Sequence, residues 1–462
     1  MKKISKTIVM KFGGTSVASH DAVMSLVGIV KRLREKRPVL VVSAVSGVTE
    51  ALLALPRATE KELGKQIAAI RKTHLKLVQE LFKDKRARAE VMDYVDEQLK
   101  KVRTLSRKEN VFPKDKDELV SYGEVMSSFM ISRVLRSHKI AAEQIVATHM
   151  IVTDDAFTQA EFLPNETRKK TRDILYPLIE QKVVPVITGF IGATEDGRVT
   201  TLGRGGSDYS ASIIGHCLDS DEVQIWTDVD GVFTADPRVV KNAVLIPEIS
   251  YKEASEMASF GAKVLHPRTI KPAIEKKIPI RVVNTFNTEC PGTLISSHHT
   301  GVGLKAIAFK RNVILINIYS NAMLFSRGFL ARVFGIFAQQ HISIDLVSVS
   351  EVSISVTLDN SGQLDSAIEQ LKEFSTVSVY RDGFGVVSLI GEKILSRPGL
   401  MSDVFSLFQK NRVHLQMISM GASDINVSLV IPSPDIVLAV TLIHNHFLGA
   451  DNAPENATRL KE

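Results

Sequence analysis

Hydrophobic and polar positions along the 462-residue chain fall into two textures, with a change after Ser296. In the first, short apolar runs alternate with amphipathic stretches. Thr7-Ile8-Val9-Met10 reads as a buried strand. Ser19-His20-Asp21 then leads into a pattern that puts Val23, Leu26, Val27, Val30 and Leu33 on one helical face. Pro38–Val42, Val183–Phe190 with its terminal Gly189, Glu222–Trp226 and Ile278–Val283 read as further strands, the last closed by the turn Cys290-Pro291-Gly292-Thr293. Residues 60–107 are charged and helical with few breakers, a helical lobe or lid. Asp117–Glu124 opens another helix through Met126, Phe129 and Val134, and Tyr209–Leu218 forms one more. Such alternation predicts an α/β, three-layer α/β/α fold with a mainly parallel sheet over about residues 1–295.

After Ser296, His298-His299-Thr300-Gly301 reads as a linker, and an internal repeat begins. Gly328-Phe329-Leu330 with Val333-Phe334 recurs as Gly399-Leu400-Met401 with Val404-Phe405, an offset of 71 residues. The same offset relates Ile344 to Leu415, Ser348 to Ser419 and Val356 to Val427. Each copy reads strand, helix, two strands, helix, so residues 302–462 are expected to hold two ferredoxin-like βαββαβ units. The first covers about 312–380. The second covers about 381–462, and the family resemblance given below implies that it takes up a strand at 304–309.

The strand ends of the first texture carry the candidate chemistry. Thr7–Met10 runs into Lys11-Phe12-Gly13-Gly14-Thr15-Ser16: a lysine, two glycines and two hydroxyls before a helix. Glycines let the backbone approach a ligand, and N–H groups at such a turn cradle an anion. The pattern suggests a phosphate site, although a plain strand-to-helix turn fits the stretch equally well. Pro38–Val42 ends in Ser43-Ala44-Val45-Ser46-Gly47-Val48-Thr49. Thr201-Leu202-Gly203-Arg204-Gly205-Gly206-Ser207-Asp208 combines three glycines, a planar guanidinium and an aspartate at a helix start. Two Asp-rich turns occupy Thr227–Arg238, without the calcium-loop spacing or its glutamate. Gly261-Ala262-Lys263 presents a second glycine-flanked lysine. Gly301-Val-Gly303-Leu-Lys-Ala306 matches a dinucleotide fingerprint only formally, because a strand pattern follows it.

Composition narrows the classes. A 44% hydrophobic share without any run of ~18 apolar residues argues against a membrane span. No apolar stretch with a cleavage site follows Met1-Lys2-Lys3, so no leader is expected. Two cysteines, Cys217 and Cys290, fit a reducing compartment. A formal charge of +7 is spread along the chain in pairs such as Lys100-Lys101 and Lys169-Lys170, without interleaved aromatics, so nucleic acid is a poor partner.

Taken together, Lys11–Ser16, Ser43–Thr49, Glu118–Glu124, Thr201–Asp208, Thr227–Arg238 and Gly261–Pro267, followed by the repeat, resemble a monofunctional, lysine-sensitive aspartokinase: an amino-acid kinase domain with tandem ACT domains. The likeness covers nearly the whole chain. It implies phosphorylation of the side-chain carboxylate of L-aspartate by ATP with Mg2+, in the cytoplasm. It implies Lys11 and Asp208 as catalytic residues and Gly13, Gly14, Thr15 and Ser16 as a phosphate loop. Ser43, Thr49, Glu124, Arg204 and Ser207 would hold aspartate, with Glu124 on the ammonium and Arg204 on the α-carboxylate. Thr227, Asp228, Phe233, Arg238 and Lys263 would line the ATP site, with Phe233 where relatives often have tyrosine. No protein ligand to magnesium is assigned. The resemblance also implies L-lysine as inhibitor, at Met323, Ser326, Phe329, Leu330, Ser343, Ile344, Asp345, Ser350 and Glu351 of the first ACT unit. The second copy has Gln416 and Ala422 at the positions of Asp345 and Glu351, so only the first keeps the acidic pair. Val349 stands where lysine-sensitive relatives often have threonine. A homodimer or homotetramer through the ACT units is expected.

Overall fold

The computed structural model of the chain describes residues 7–108, 112–261, 265, 267–298, 301–324, 326–359, 362–421 and 424–449. Met1–Lys3, Lys263, His299, Thr300 and Ala422, named above, lie outside these. Two units are present. The first comprises Met1–Val232, Pro247–Tyr251 and Val264–His298; the second comprises Phe233–Ile246, Lys252–Lys263 and His299–Glu462.

In chain order the first unit contains β1 (Ile8–Phe12), α1 (His20–Arg32), β2 (Pro38–Val42), α2 (Val48–Ala54), α3 (Glu60–Leu81), α4 (Lys85–Ser106) and α5 (Pro113–Ser137). Next come β3 (Ala142–Ile145), β4 (Val152–Thr153), α6 (Pro164–Glu180), β5 (Val184–Thr188), β6 (Ile191–Thr194), β7 (Val199–Thr201), α7 (Gly206–Leu218) and β8 (Glu222–Thr227). After an excursion the chain adds β9 (Glu248–Ser250), α8 (Tyr251–Ser259, mostly in the second unit), α9 (Pro267–Glu275), β10 (Ile280–Asn284) and β11 (Thr293–Ser296). The eight-stranded sheet runs β3-β5-β2-β1-β8-β10-β11-β9. It is parallel from β3 to β10 and turns antiparallel only between β10 and β11. A small sheet, β4-β6-β7, stands apart from it in pairing.

The strands read as continuous apolar runs because both sheet faces are covered. Met10, Phe12, Leu40, Val42 and Val186 join α1, α4 and α5 in one core. The alternate residues of β1, Val9 and Lys11, therefore point to the other face, where α7 packs on β1. The charged stretch resolves into two helices, started by the Thr59–Glu62 capping box and by Asp84, with α4 laid on α5. Helix α5 begins at Pro113 rather than near Asp117: the Phe112 N–H donates to Asp115 Oδ2 at 2.9 Å, which sets the helix start upstream.

In the second unit β12 (Ala306–Tyr319), α10 (Phe329–Gln339), β13 (Leu346–Val349), β14 (Ser353–Leu358), α11 (Leu364–Lys372) and β15 (Thr376–Ile390) are followed by α12 (Leu400–Lys410), β16 (Met417–Met420), β17 (Asn426–Pro432) and α13 (Ile436–Phe447). The repeat is visible in the backbone. Helices α10 and α12 follow left-handed glycines, Gly328 and Gly399, with φ of 86° and 82°. The left-handed residues His341 and Arg412 come after them at matching positions. One antiparallel sheet, β13-β14-β12-β15-β17-β16, serves both copies. Val313–Tyr319 of β12 pairs with the first part of β15, and Ala306–Lys310 pairs with Val386–Ile390 beside β17. The register breaks between Lys310 and Val313, where one hydrophobic core gives way to the other.

Two stretches expected with the kinase part fold into the second unit instead. Ala235, Val240 and Ala243 are buried with Val387, Leu389 and Val440. The Thr234 carbonyl accepts the Ile307 N–H at 2.8 Å, its hydroxyl accepts the Val244 N–H at 2.9 Å, and the hydroxyl lies 2.9 Å from His444 Nε2. On α8, Glu253 pairs with Lys305 at 2.8 Å and accepts the Glu392 N–H at 3.0 Å. These small, scattered apolar residues carry no periodicity that says which core receives them. The Glu253–Lys305 pair is almost wholly buried, so removing one partner strands a charge. Lys305→Ala should cost about 3–5 kcal/mol of stability in the second unit. Denaturant unfolding followed by circular dichroism measures this, and a loss below about 1 kcal/mol, as for an ordinary surface substitution, would contradict it.

Candidate active site

The parallel strands bring five loops to one edge of the sheet. Phe12 pairs with Val42 and Trp226, Val42 with Thr188, and Thr227 with Asn284, so the chain leaves β1, β2, β5, β8 and β10 side by side. Open α/β sheets bind ligands at this edge. Gly13 N–H donates to the Trp226 carbonyl at 3.2 Å, Ser43 N–H to Phe12 O at 3.1 Å, and Ser46 N–H to Gly14 O at 3.3 Å. The Lys11–Ser16 and Ser43–Thr49 loops are thus laced together. Gly14 makes this close approach easy, because a Cβ would stand 3.0 Å from the Ala44 carbonyl, a tight contact.

Lys11 Nζ meets Asp208 Oδ1 at 2.7 Å, with both side chains about one-eighth exposed. Asp208 lies in the first turn of α7, which starts at Gly206, three residues ahead of the sequence expectation, after the left-handed Gly205. The helix N–H groups therefore point toward the edge where Lys11 emerges, and the macrodipole favours a carboxylate or phosphate there. Ser207 shares that first turn. A Cβ on Gly189, just after β5, would stand 2.7 Å from the Ser207 hydroxyl, so glycine makes the room for it. Arg204 is exposed and has no ion pair among the described residues. Ser43 and Thr49 are partly exposed.

Glu124 on α5 is only 3% exposed. Its Oε1 accepts the Ala44 N–H at 3.1 Å, while Oε2 is buried without a hydrogen-bond partner. Burial is the main cause that pushes its pKa up to about 8; the Ala44 bond opposes this, and the Glu50 charge adds to it. A carboxylate so placed is ready for a cationic group and neutral without one.

Other expected residues sit differently. Thr15 is exposed at the loop tip, but Ser16 is buried with its hydroxyl 2.7 Å from Thr285 Oγ1, so it braces the loop. Thr227 and Asp228 extend from β8, Thr227 Oγ1 donating to Asp228 Oδ1 at 3.3 Å. Phe233 and Arg238 belong to the second unit, where Phe233 packs on the apolar core and Arg238 pairs with Asp236 at 2.6 Å. In the first βαββαβ copy, Phe329 is buried while Ser326, Leu330, Ser343, Ser350 and Glu351 are exposed and Met323 and Ile344 are partly so. Asp345 is already engaged: Lys310 Nζ holds it at 2.9 Å and Asp359 at 2.7 Å. Burial raises the Asp345 pKa, and Lys310 opposes the shift. Sequence reasoning missed Asp117 and read Gly189 only as the end of a strand. Asp117 lies seven residues before Glu124, two turns along the same helical face, and that spacing was a usable signal.

Residues 6–284 match the amino acid kinase family, and residues 387–447 match the ACT domain. The chain belongs to the amino acid kinase family. It is 36% identical to lysine-sensitive aspartokinase 3 of Escherichia coli (strain K12), over 96% of this chain and 99% of that protein. It is 35% identical to the chloroplastic aspartokinase 1 of Arabidopsis thaliana, over 97% of this chain and 81% of that one. The crystal structure of E. coli aspartokinase III with aspartate and ADP, in its R-state, superposes with a TM-score of 0.84 at 35% identity, over 96% of this chain and all of that one. The T-state complex with lysine and aspartate gives 0.80 at 36% identity, over 96% and 99%. Within the family, the chain's place is among the aspartokinases.

The state of Glu124 is testable without substrate. Its folded pKa lies above the unfolded value near 4.5, so the folded protein binds more protons between those two values. Stability from this group is full below about 4.5 and is lost as pH rises through about 8. Glu124→Gln, which stays neutral, should therefore gain in melting temperature relative to the parent as pH rises from 5 to 8.5. Parallel pH profiles for the two proteins would show the group to be ordinary.

Proposed function

We propose that the chain transfers the γ-phosphoryl group of ATP to the side-chain carboxylate of L-aspartate, giving 4-phospho-L-aspartate. The observation that supports this most is one sheet edge carrying both the Lys11–Asp208 pair and a buried Glu124 oxygen without a partner. In-line phosphoryl transfer asks for positioning and charge stabilisation. The nucleophile is already ionised, so no general base is needed. Lys11 neutralises charge on the transferring group, and Asp208 keeps its ammonium aimed. The Gly13-Gly14-Thr15 backbone and the start of α7 offer N–H donors to phosphate oxygens. Arg204 grips the α-carboxylate of aspartate, and Ser43, Thr49 and Ser207 add hydrogen bonds. Glu124 takes the α-ammonium and gives up its proton as the substrate arrives. Thr227, Asp228, Phe233, Arg238 and Lys263 serve the nucleotide. Among the described residues no group of three or more His, Cys, Asp and Glu side chains forms a metal site. Magnesium would be held by the ATP phosphates, where it would shield their charge. ADP and aspartate in the R-state E. coli relative support this pairing of substrates.

The same reading gives the first ACT copy a lysine site, supported by the lysine complex of the E. coli relative. Here the effector meets an occupied carboxylate. Its ammonium must share or displace Lys310 at Asp345, with Glu351 exposed for the second amine. The ACT units also provide the contact of a homodimer or homotetramer, with Val349 and Met420, each about half exposed, among the apolar residues open to a partner copy.

A coupled assay with ATP and a panel of aspartate, glutamate and acetylglutamate tests the reaction; turnover of aspartate alone is expected. Lys11→Ala should lower kcat by about 10²–10³-fold, the usual cost of one stabilising donor, with a smaller change in the KM for aspartate. A folded variant with near-normal kcat removes this lysine from the mechanism.

L-Lysine should inhibit, and Asp345→Ala should weaken that inhibition by about tenfold or more, the coupling typical of an effector contact. Titrating L-lysine and L-threonine into both proteins decides the matter. Inhibition by threonine alone, or lysine inhibition untouched by the substitution, defeats the assignment.

A further inference from the structure

The loop that carries Arg204 is held by a side chain with no role in the account above. Asp117 is 1% exposed on α5. Its Oδ2 accepts the N–H groups of Thr158 at 2.8 Å and Thr201 at 2.9 Å, and its Oδ1 accepts the Thr201 hydroxyl at 2.8 Å. No lysine or arginine forms an ion pair with it among the described residues. A buried carboxylate held only by neutral donors is uncommon, since burial alone raises its pKa. Both donors lead to the same place. Thr201 ends β7 and runs through Leu202-Gly203 into Arg204. Thr158 has a φ of 73°, a backbone state that a β-branched residue adopts only when its surroundings impose it. Its carbonyl presses on Gly203, where a Cβ would stand 3.2 Å away and φ is 76°. The Ala160 N–H, two residues on, returns to the Thr201 carbonyl at 3.0 Å. The strained turn, the end of β7 and the arginine loop thus converge on one carboxylate. Helix α5 carries that carboxylate two turns from Glu124.

We infer that Asp117 is a positioning residue for substrate recognition. It locks the Thr158 turn and the Thr201 backbone so that Arg204 waits in a gripping geometry, at a fixed distance from Glu124. One helix then sets both ends of the amino-acid clamp: the ammonium end directly and the carboxylate end through Asp117. This rests on the reading of Arg204 as the grip on the α-carboxylate. A side chain that merely stabilises the fold would affect melting temperature and all kinetic constants together. A positioning role affects the KM for aspartate selectively and acts only while Arg204 is present.

The test measures steady-state kinetics and melting temperatures for Asp117→Ala, Asp117→Asn, Thr201→Val and Thr158→Gly, and for Arg204→Ala alone and with Thr201→Val. Asp117→Ala should raise the KM for aspartate about tenfold or more, leaving that for ATP within about twofold. Asp117→Asn should recover most of the loss, because its carbonyl accepts both N–H bonds and its amide donates to the Thr201 hydroxyl. Thr201→Val should raise the aspartate KM by about two- to fivefold, the scale of one lost hydrogen bond. Thr158→Gly keeps the N–H and accepts the φ freely, so KM should hold and melting temperature stay level or rise. In the Arg204→Ala background, Thr201→Val should add nothing further. Should Asp117→Ala fail to fold, the asparagine and valine variants carry the decision. An unchanged aspartate KM in folded Thr201→Val, an equal rise in the KM for ATP, or full additivity with Arg204→Ala overturns the inference. If Arg204→Ala itself leaves the aspartate KM unchanged, the grip reading fails instead, and the two failures are told apart by that single variant.

Discussion

The ion pair between Lys11 and Asp208 is the constraint around which the first unit is built. Lys11 sits in β1 with neighbours on both sides, Val41 on β2 and Ile225 on β8. An ammonium in the middle of a parallel sheet is costly unless it is paired, and period-2 alternation sends it to the face on which α7 packs. Its partner must therefore come from α7. Gly205 starts that helix early enough to put Asp208 in the first turn. Without Asp208 the ammonium, about one-eighth exposed, would lose its paired charge at the strand end. The same geometry that makes the lysine tolerable leaves it beside an edge of open N–H groups.

The second unit is not simply appended. Its core takes in 233–246 and most of α8, so the chain passes between the units after 232, 246, 251, 263 and 298. Phe233, assigned above to the nucleotide, follows β8 in the chain yet packs with the repeat, and Arg238 of the same segment is exposed and paired with Asp236. A hub such as Thr234, bonded to Val244, Ile307 and His444, binds this segment into the second unit's own hydrogen-bond network.

What was legible in the sequence follows from which signals are local. Strands β1, β2, β5 and β8 are covered on both faces, so each reads as an unbroken apolar run. The repeat is legible because offset, left-handed glycines and helix faces all recur together. Strands β3, β4, β6, β7 and β9 escaped: they are two to four residues long and carry polar residues such as Glu143, Gln144 and Thr200. The destination of 233–246 escaped because burial among distant partners leaves no period. Within the site, residue types at glycine-rich strand ends were readable. Their commitments were not: Ser16 turns inward to Thr285, and Asp345 is taken by Lys310. Asp117 was passed over because a lone aspartate inside a helix usually faces water, although its spacing from Glu124 marks the same helical face.

The site's charges explain why such a constellation is stable before anything binds. Among the residues assigned to the reaction, Lys11 is balanced by Asp208, and Glu124 is largely neutral at pH 7 because burial raises its pKa to about 8. Arg204 and Asp228 form no ion pair among the described residues, and both are exposed, where water carries the cost. The described residues of the site therefore bury no unpaired charge. On the proposed reading substrate would reverse the accounting: an incoming ammonium would give Glu124 a reason to ionise, and an incoming α-carboxylate would desolvate Arg204 only as it paired with it. An amino acid carrying both groups satisfies the two ends together, whereas a dicarboxylate without an amine leaves Glu124 protonated and its second oxygen unfilled. Discrimination at this end then comes from a buried acceptor left without a donor, a stronger basis for rejection than the mere absence of an attractive contact.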